Sequence, residues 1–135
     1  MKKLVTAFLM NFFVLFNVCC ANSYDNDPDY YFVMNVQRAK TYLYLPSIDV
    51  QIYNPPNYQI AGLFIALGGI DHDANHVSKY KVTIRYNFYT KDAFELENGK
   101  WRKLCQGVSS STLYAMDRLT ANALFLAAYG IKFYE

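Results

Sequence analysis

Tyr58-Gln59-Ile60-Ala61-Gly62-Leu63-Phe64-Ile65-Ala66-Leu67 is the stretch whose reading decides the fold. With a period of two, Ile60, Phe64 and Ala66 share one face, and Ala61, Leu63, Ile65 and Leu67 share the other. A half-buried strand alternates apolar and polar residues, whereas a strand covered on both sides is apolar on both. The stretch is therefore expected to be a central strand.

Shorter β signals precede it. Tyr31 to Val36 reads as a first strand and Thr41 to Leu45 as a second, ended by Pro46, which cannot donate to a ladder. Ser47 to Tyr53 alternates, with Ile48, Val50 and Ile52 on one face and Asp49, Gln51 and Tyr53 on the other. Asn54-Pro55-Pro56-Asn57 breaks that pattern as a stiff extended turn.

After the central strand, Gly68 to Ser78 is the longest polar connection. Tyr80 to Tyr89 then places Val82, Ile84, Tyr86 and Phe88 inward, with Lys81, Thr83, Arg85 and Asn87 toward water. Asn98-Gly99 suits a two-residue type I′ turn, because both central residues must accept positive φ. That turn pairs Glu97 with Lys100, Leu96 with Trp101 and Glu95 with Arg102, placing opposite charges on one exposed face and apolar groups on the other.

From Thr112 to Tyr129 the period becomes helical. Met116, Leu119, Ala123, Leu124 and Ala127 make the expected buried stripe, while Asp117, Arg118 and Asn122 lie off it. Gly130 suits a left-handed C-terminal cap, and Ile131 to Tyr134 leaves room for a short final strand. The expected fold is α+β: a small antiparallel sheet, one C-terminal helix packed on it and the short last strand.

The N-terminus carries the information on destination. Lys2 and Lys3 precede an apolar run from Leu4 to Val18, and small residues follow up to Ala21-Asn22-Ser23. This is the pattern of a secretory signal peptide over residues 1–23, leaving 24–135 as one secreted α+β domain of 112 residues. Cleavage is expected after Ala21 or Ser23; lipidation of Cys19 or Cys20 is disfavoured, because neither follows a small residue. The run is too short for a confident membrane span, so the mature chain is expected to have none. Asp25, Asp27 and Asp29, with Pro28 among them, read as a frayed mature N-terminus.

Of 13 Lys and Arg, Lys2 and Lys3 lie in the leader, which leaves 11 against 11 Asp and Glu and a mature formal charge of zero. No electrostatic case for nucleic acid remains. Cys105 is the single mature cysteine, so no intrachain disulfide is expected, and burial is its favoured role. All 13 tyrosines lie after residue 23, which suits a partly exposed sheet or, alternatively, an aromatic face that binds sugar or peptide.

Four segments bear on chemistry. Asp71-His72-Asp73-Ala74-Asn75 imitates the opening of a calcium loop, but His76 stands where Gly is needed and Val82 where Glu is needed. Asp71, His72, Asp73 and His76 remain a weak metal-ligand set on a polar loop. Ser109-Ser110-Ser111 lacks the second Gly of a nucleophile elbow and reads as loop and helix cap. Glu95 and Glu97 resemble paired glycosidase carboxylates, but facing bases point to salt pairing. Tyr53, Asn54, Pro55, Pro56 and Tyr58 form an aromatic-proline surface and are the candidate binding residues.

The order of these elements carries a family resemblance. Tyr42-Leu43-Tyr44-Leu45-Pro46-Ser47-Ile48-Asp49, the long strand Val82 to Tyr89, Trp101-Arg102-Lys103-Leu104, the Ala-rich helix and the closing Tyr129-Gly130-Ile131-Lys132-Phe133-Tyr134 follow a leader. The arrangement resembles small, mostly uncharacterised secreted proteins of Gram-negative-type bacteria and, distantly, surface-adhesin E-like domains. That resemblance implies a β-rich exported domain that contacts host proteins at the cell surface, and it transfers no functional residue.

The function expected is a noncatalytic periplasmic or cell-surface protein that binds a host or envelope protein or a glycan, or acts structurally, without a cofactor. The alternative is a small metal-dependent or hydrolytic enzyme using the His72/His76 loop.

Overall fold

The computed structural model describes residues 24–70, 72, 73 and 75–135. The expected leader over 1–23, with its expected cleavage sites, and Asp71 lie outside the described residues. Among the described residues six strands form one antiparallel meander in chain order: β1 (Tyr30–Val36), β2 (Ala39–Asn54), β3 (Asn57–Gly68), β4 (Val77–Asn87), β5 (Asp92–Glu97) and β6 (Lys100–Lys103). One helix, α1 (Thr112–Tyr129), follows the sheet. The α+β architecture is the expected one.

β3 lies between β2 and β4 and is covered on both faces, as its sequence demands. On one face Ile60 and Phe64 pack with Leu43, Val82, Ile84, Tyr86 and the helix residues Ala121, Leu124 and Phe125. On the other, Ile65 and Leu67 pack with Tyr42 beneath Tyr24, Tyr30 and Tyr44. Gly62 marks the closest approach to α1: a Cβ there would stand 2.7 Å from Leu124 Cδ2. Only a residue without a side chain leaves the helix room to sit this near the sheet.

The second cover comes from residues expected to fray. Tyr24 stacks on Tyr30 with centroids 4.1 Å apart. The Tyr42 hydroxyl donates to Asp25 Oδ1 at 2.6 Å, and Lys40 Nζ reaches Asp25 Oδ2 at 3.1 Å. The acidic start of the described chain is thus tied to the sheet.

Pro46 does not end a strand. β2 runs through it as one 16-residue strand, with its pairing to β3 shifted between Tyr44 and Asp49. β1 has stopped pairing by then, so the missing donor costs no ladder bond on that side. Ser47 repairs the break: its hydroxyl accepts from Leu63 N at 2.7 Å and donates to Tyr44 O at 2.6 Å. A second shift between Val50 and Ile52 interrupts the alternation expected there, and both side chains are exposed. Asn54–Asn57 closes a tight hairpin around a cis Pro55–Pro56 peptide bond.

The Asn98-Gly99 hairpin has the expected register, with φ of 48° and 76° at the two turn residues. Its charged side faces differently from the expectation. Glu95 pairs with Ile84, whose side chain lies in the helix-side core, so Glu95 and Arg102 turn toward α1 while Leu96 is exposed.

The helix begins at Thr112, with Ser111 Oγ accepting from Tyr114 N at 3.1 Å, and ends at Gly130, φ 74°. Its buried residues are Asp117, Ala121, Ala123, Leu124 and Phe125, whereas Leu119 is 42% exposed and Ala127 is exposed. The expected stripe is corrected by rotation: a carboxylate occupies the inner face because Arg102 meets it there. Residues 131–135 form no strand. Asn122 holds them instead, accepting from Tyr134 N at 2.6 Å and donating to Tyr134 O at 3.0 Å, while Phe133 is fully buried.

Candidate functional site

Two concavities flank the helix. The larger, about 400 Å³, lies between the N-terminal half of α1 and the sheet, with Met34, Val82, Leu113 and Met116 among its apolar walls. Its polar end is Arg102, which donates to Asp117 through Nη1 and Nη2 at 3.0 Å each, to Glu95 at 2.8 Å and to Glu97 at 2.8 Å. Burial pushes the Glu95 carboxyl above its ordinary value against the pull of Arg102, and the neighbouring Glu97 pushes it further. Hydrogen bonding to Asp117 raises the Arg102 guanidinium. The charged groups here bind one another, and the ring of bonds joins β5 and β6 to α1. Salt pairing of Glu95 and Glu97 is as expected, but its partner on the helix was not legible in the sequence.

The smaller concavity, about 150 Å³, lies at the β2–β3 tip beside the last turn of α1. Tyr53 at the end of β2, Tyr58 at the start of β3, Phe88 beyond β4, Phe125 and Tyr129 from α1, and Ile131 line it. Strand pairing sets Tyr53 against Tyr58, and their rings meet edge to face at 5.7 Å. Tyr129 completes a triangle, with centroids 5.2 Å from Tyr58 and 6.0 Å from Tyr53. Phe125 supports it from below, 5.4 Å from Tyr58 and 4.9 Å from Tyr129. Tyr53 is 68% exposed and Ile131 51% exposed, so an apolar lip faces solvent.

The Tyr129 hydroxyl is buried and has no hydrogen-bond partner among the described residues. Burial raises its pKa, and the phenols of Tyr58 and Tyr53 add to the rise. A buried unsatisfied hydroxyl costs about 1–3 kcal/mol, so the cup stores an unmet hydrogen bond.

Of the expected binding residues, Tyr53 and Tyr58 enter this cup. Asn54, Pro55 and Pro56 form the exposed tip beyond it. The sequence did not single out Phe88 or Ile131 as partners, and it placed Tyr129 in the helix without a binding role. Its one available signal was an aromatic in the last helical turn before Gly130.

The loop candidates come together in part. His72 and His76 stack on each other at 3.7 Å and 10°, and His76 Nε2 lies 3.2 Å from Ser78 Oγ. Asp73 Oδ1 accepts from Asn75 N at 3.0 Å, which shapes the turn. Among the described residues no group of three or more His, Cys, Asp or Glu is placed to hold a metal ion. Cys105 is half-buried, with φ 54°, and its amide donates to Asp117 Oδ2 at 3.0 Å. Burial pushes its thiol pKa up, the opposite of what an activated nucleophile needs. No described helix is long and apolar enough to cross a membrane. The chain matches no family model, no curated protein and no solved structure.

Proposed function

We propose that this chain is a noncatalytic exported domain, working in the periplasm or at the cell surface, that binds an envelope or host macromolecule through the aromatic cup at the β2–β3 tip. The observation that carries the reading is the Tyr53–Tyr58–Tyr129 triangle, concave and exposed at its lip, with the Tyr129 hydroxyl lacking a hydrogen-bond partner among the described residues. Aromatic side chains with a wet edge and an apolar body are the residues that dominate binding surfaces. The groups an enzyme would recruit have other work: Glu95 and Glu97 bind Arg102, and Asp117 holds Arg102 and the Cys105 amide. The metal-enzyme alternative draws support only from the adjacency of His72 and His76.

The test is retention of labelled mature chain on isolated envelopes and on host-cell surfaces. Tyr53→Ala is expected to abolish retention while Tyr31→Ala, an exposed tyrosine on β1, leaves it intact. Equal retention of both variants would remove the cup from the binding role.

A further inference from the structure

The chemistry of the cup narrows the kind of group that fills it. All six lining residues, Tyr53, Tyr58, Phe88, Phe125, Tyr129 and Ile131, are uncharged, so an anion finds no counter-charge in the wall. Aromatic faces attract cations, but the Lys91 ammonium already lies 3.4 Å from the Phe88 ring centroid and repels a second one. Its volume of about 150 Å³ suits one six-membered ring rather than an extended chain. Proline-rich peptides bind along successive aromatic ridges, whereas this is a single depression with Ile131 in its wall. The walls are flat rings, yet Tyr129 Oη, which is both donor and acceptor, has no hydrogen-bond partner among the described residues. The occupant must therefore offer an apolar face and hydroxyls at its edge. A neutral pyranose has that form: axial C–H groups on its face and hydroxyls around its rim.

We infer that the cup is a subsite for one neutral hexopyranose unit of a glycan, its C–H face on the tyrosine rings and one hydroxyl bonded to Tyr129 Oη. The inference rests on the proposed binding role of the cup and assigns its ligand class. Tyr53 is the gate. It is 68% exposed and its ring meets those of Tyr58 and Tyr129 at 5.7 and 6.0 Å, so a rotation of that ring opens the cup and lets it stack on the sugar.

The test is an NMR titration of the mature chain with the methyl glycosides of glucose, galactose, mannose and N-acetylglucosamine, and with a proline-rich peptide. At least one glycoside is expected to give saturable shifts confined to the surroundings of Tyr53, Tyr58 and Tyr129. Tyr53→Ala is expected to weaken that binding at least about tenfold, and Tyr129→Phe about three- to tenfold. Tyr129→Phe separates binding from folding: losing an unpartnered hydroxyl should leave the melting temperature unchanged or higher while affinity drops. Absence of saturable shifts with every glycoside, or affinity indifferent to both substitutions, overturns the sugar subsite. If the peptide binds the cup instead, or Tyr53→Ala impairs surface retention without any glycoside binding, the sugar inference falls and the binding role stands. If retention is also indifferent to Tyr53, both fall.

Discussion

Arg102 and Asp117 meet in a two-pronged ion pair, Nη1 to Oδ2 and Nη2 to Oδ1 each at 3.0 Å, that fastens the last strand to the helix. Asp117 is buried and Arg102 about one-third exposed, so removing the carboxylate leaves Arg102 only Glu95 and Glu97 among its acidic partners and deprives the Cys105 amide of its acceptor. Asp117→Ala is expected to lower stability by about 2–3 kcal/mol, below the usual cost of breaking a fully buried pair because water reaches Arg102. Asp117→Asn, which keeps an acceptor for the amide, should cost less. Urea unfolding of the two variants measures the difference.

Glu95 gives the same cluster a pH signature. Burial raises its carboxyl above the ordinary value of 4.5 in the folded chain. The folded state then binds more protons than the unfolded one over that interval, so Glu95's contribution is full below the ordinary value and is lost as pH rises through the folded one. Glu95→Gln should remove this fall. Stability curves of wild type and variant should therefore diverge in the variant's favour across the interval from pH 4.5 upward. Asp92 acts in the opposite sense: hydrogen bonds from Lys103 and Thr90 lower its carboxyl pKa, so its contribution is present above 3.8 and lost as pH falls.

Much of the sheet was legible because its rules are local. Asn98-Gly99 dictates a turn and therefore a register, and the doubly apolar run Tyr58 to Leu67 names a central strand. The misreadings share one cause, which is that the deciding partner is distant in sequence. Asp117 looks like a solvent residue until Arg102 is beside it, and that pairing lets a carboxylate share the inner face of the helix with Ala121, Leu124 and Phe125. Gln37 and Arg38 turn β1 into β2 with φ of 51° and 62°, a conformation neither residue type announces. The cup was half legible: Tyr53 and Tyr58 flank a proline turn, but nothing local places Tyr129 across from them.

The orientation of α1 is itself open to test. Leu124 is fully buried, with its Cδ2 against Gly62, and Leu124→Ala should cost on the order of 2–5 kcal/mol. Leu119, 42% exposed, should cost under about 1 kcal/mol on the same substitution. Thermal melts that rank the two equally would contradict the packing described.

The histidine loop bears on the metal-enzyme alternative. His72 and His76 stack on each other, and no third ligand of suitable type is placed with them among the described residues. Calorimetric titration with zinc should find no site tighter than roughly 10 μM, about −7 kcal/mol. The double substitution His72→Ala, His76→Ala should leave stability and surface retention nearly unchanged. Stoichiometric submicromolar zinc binding that the double variant abolishes would restore the metal-enzyme reading.

Photocrosslinking in the native setting tests the binding role of the cup most directly. Benzoylphenylalanine is placed at position 53 in one exported chain and at position 31 in another, two exposed tyrosine sites on different parts of the sheet. Irradiation of intact cells or envelopes should give a discrete high-mass adduct from position 53 and none from position 31. Adducts from position 31 with none from position 53 would contradict the assignment of the β2–β3 tip as the surface that meets a partner.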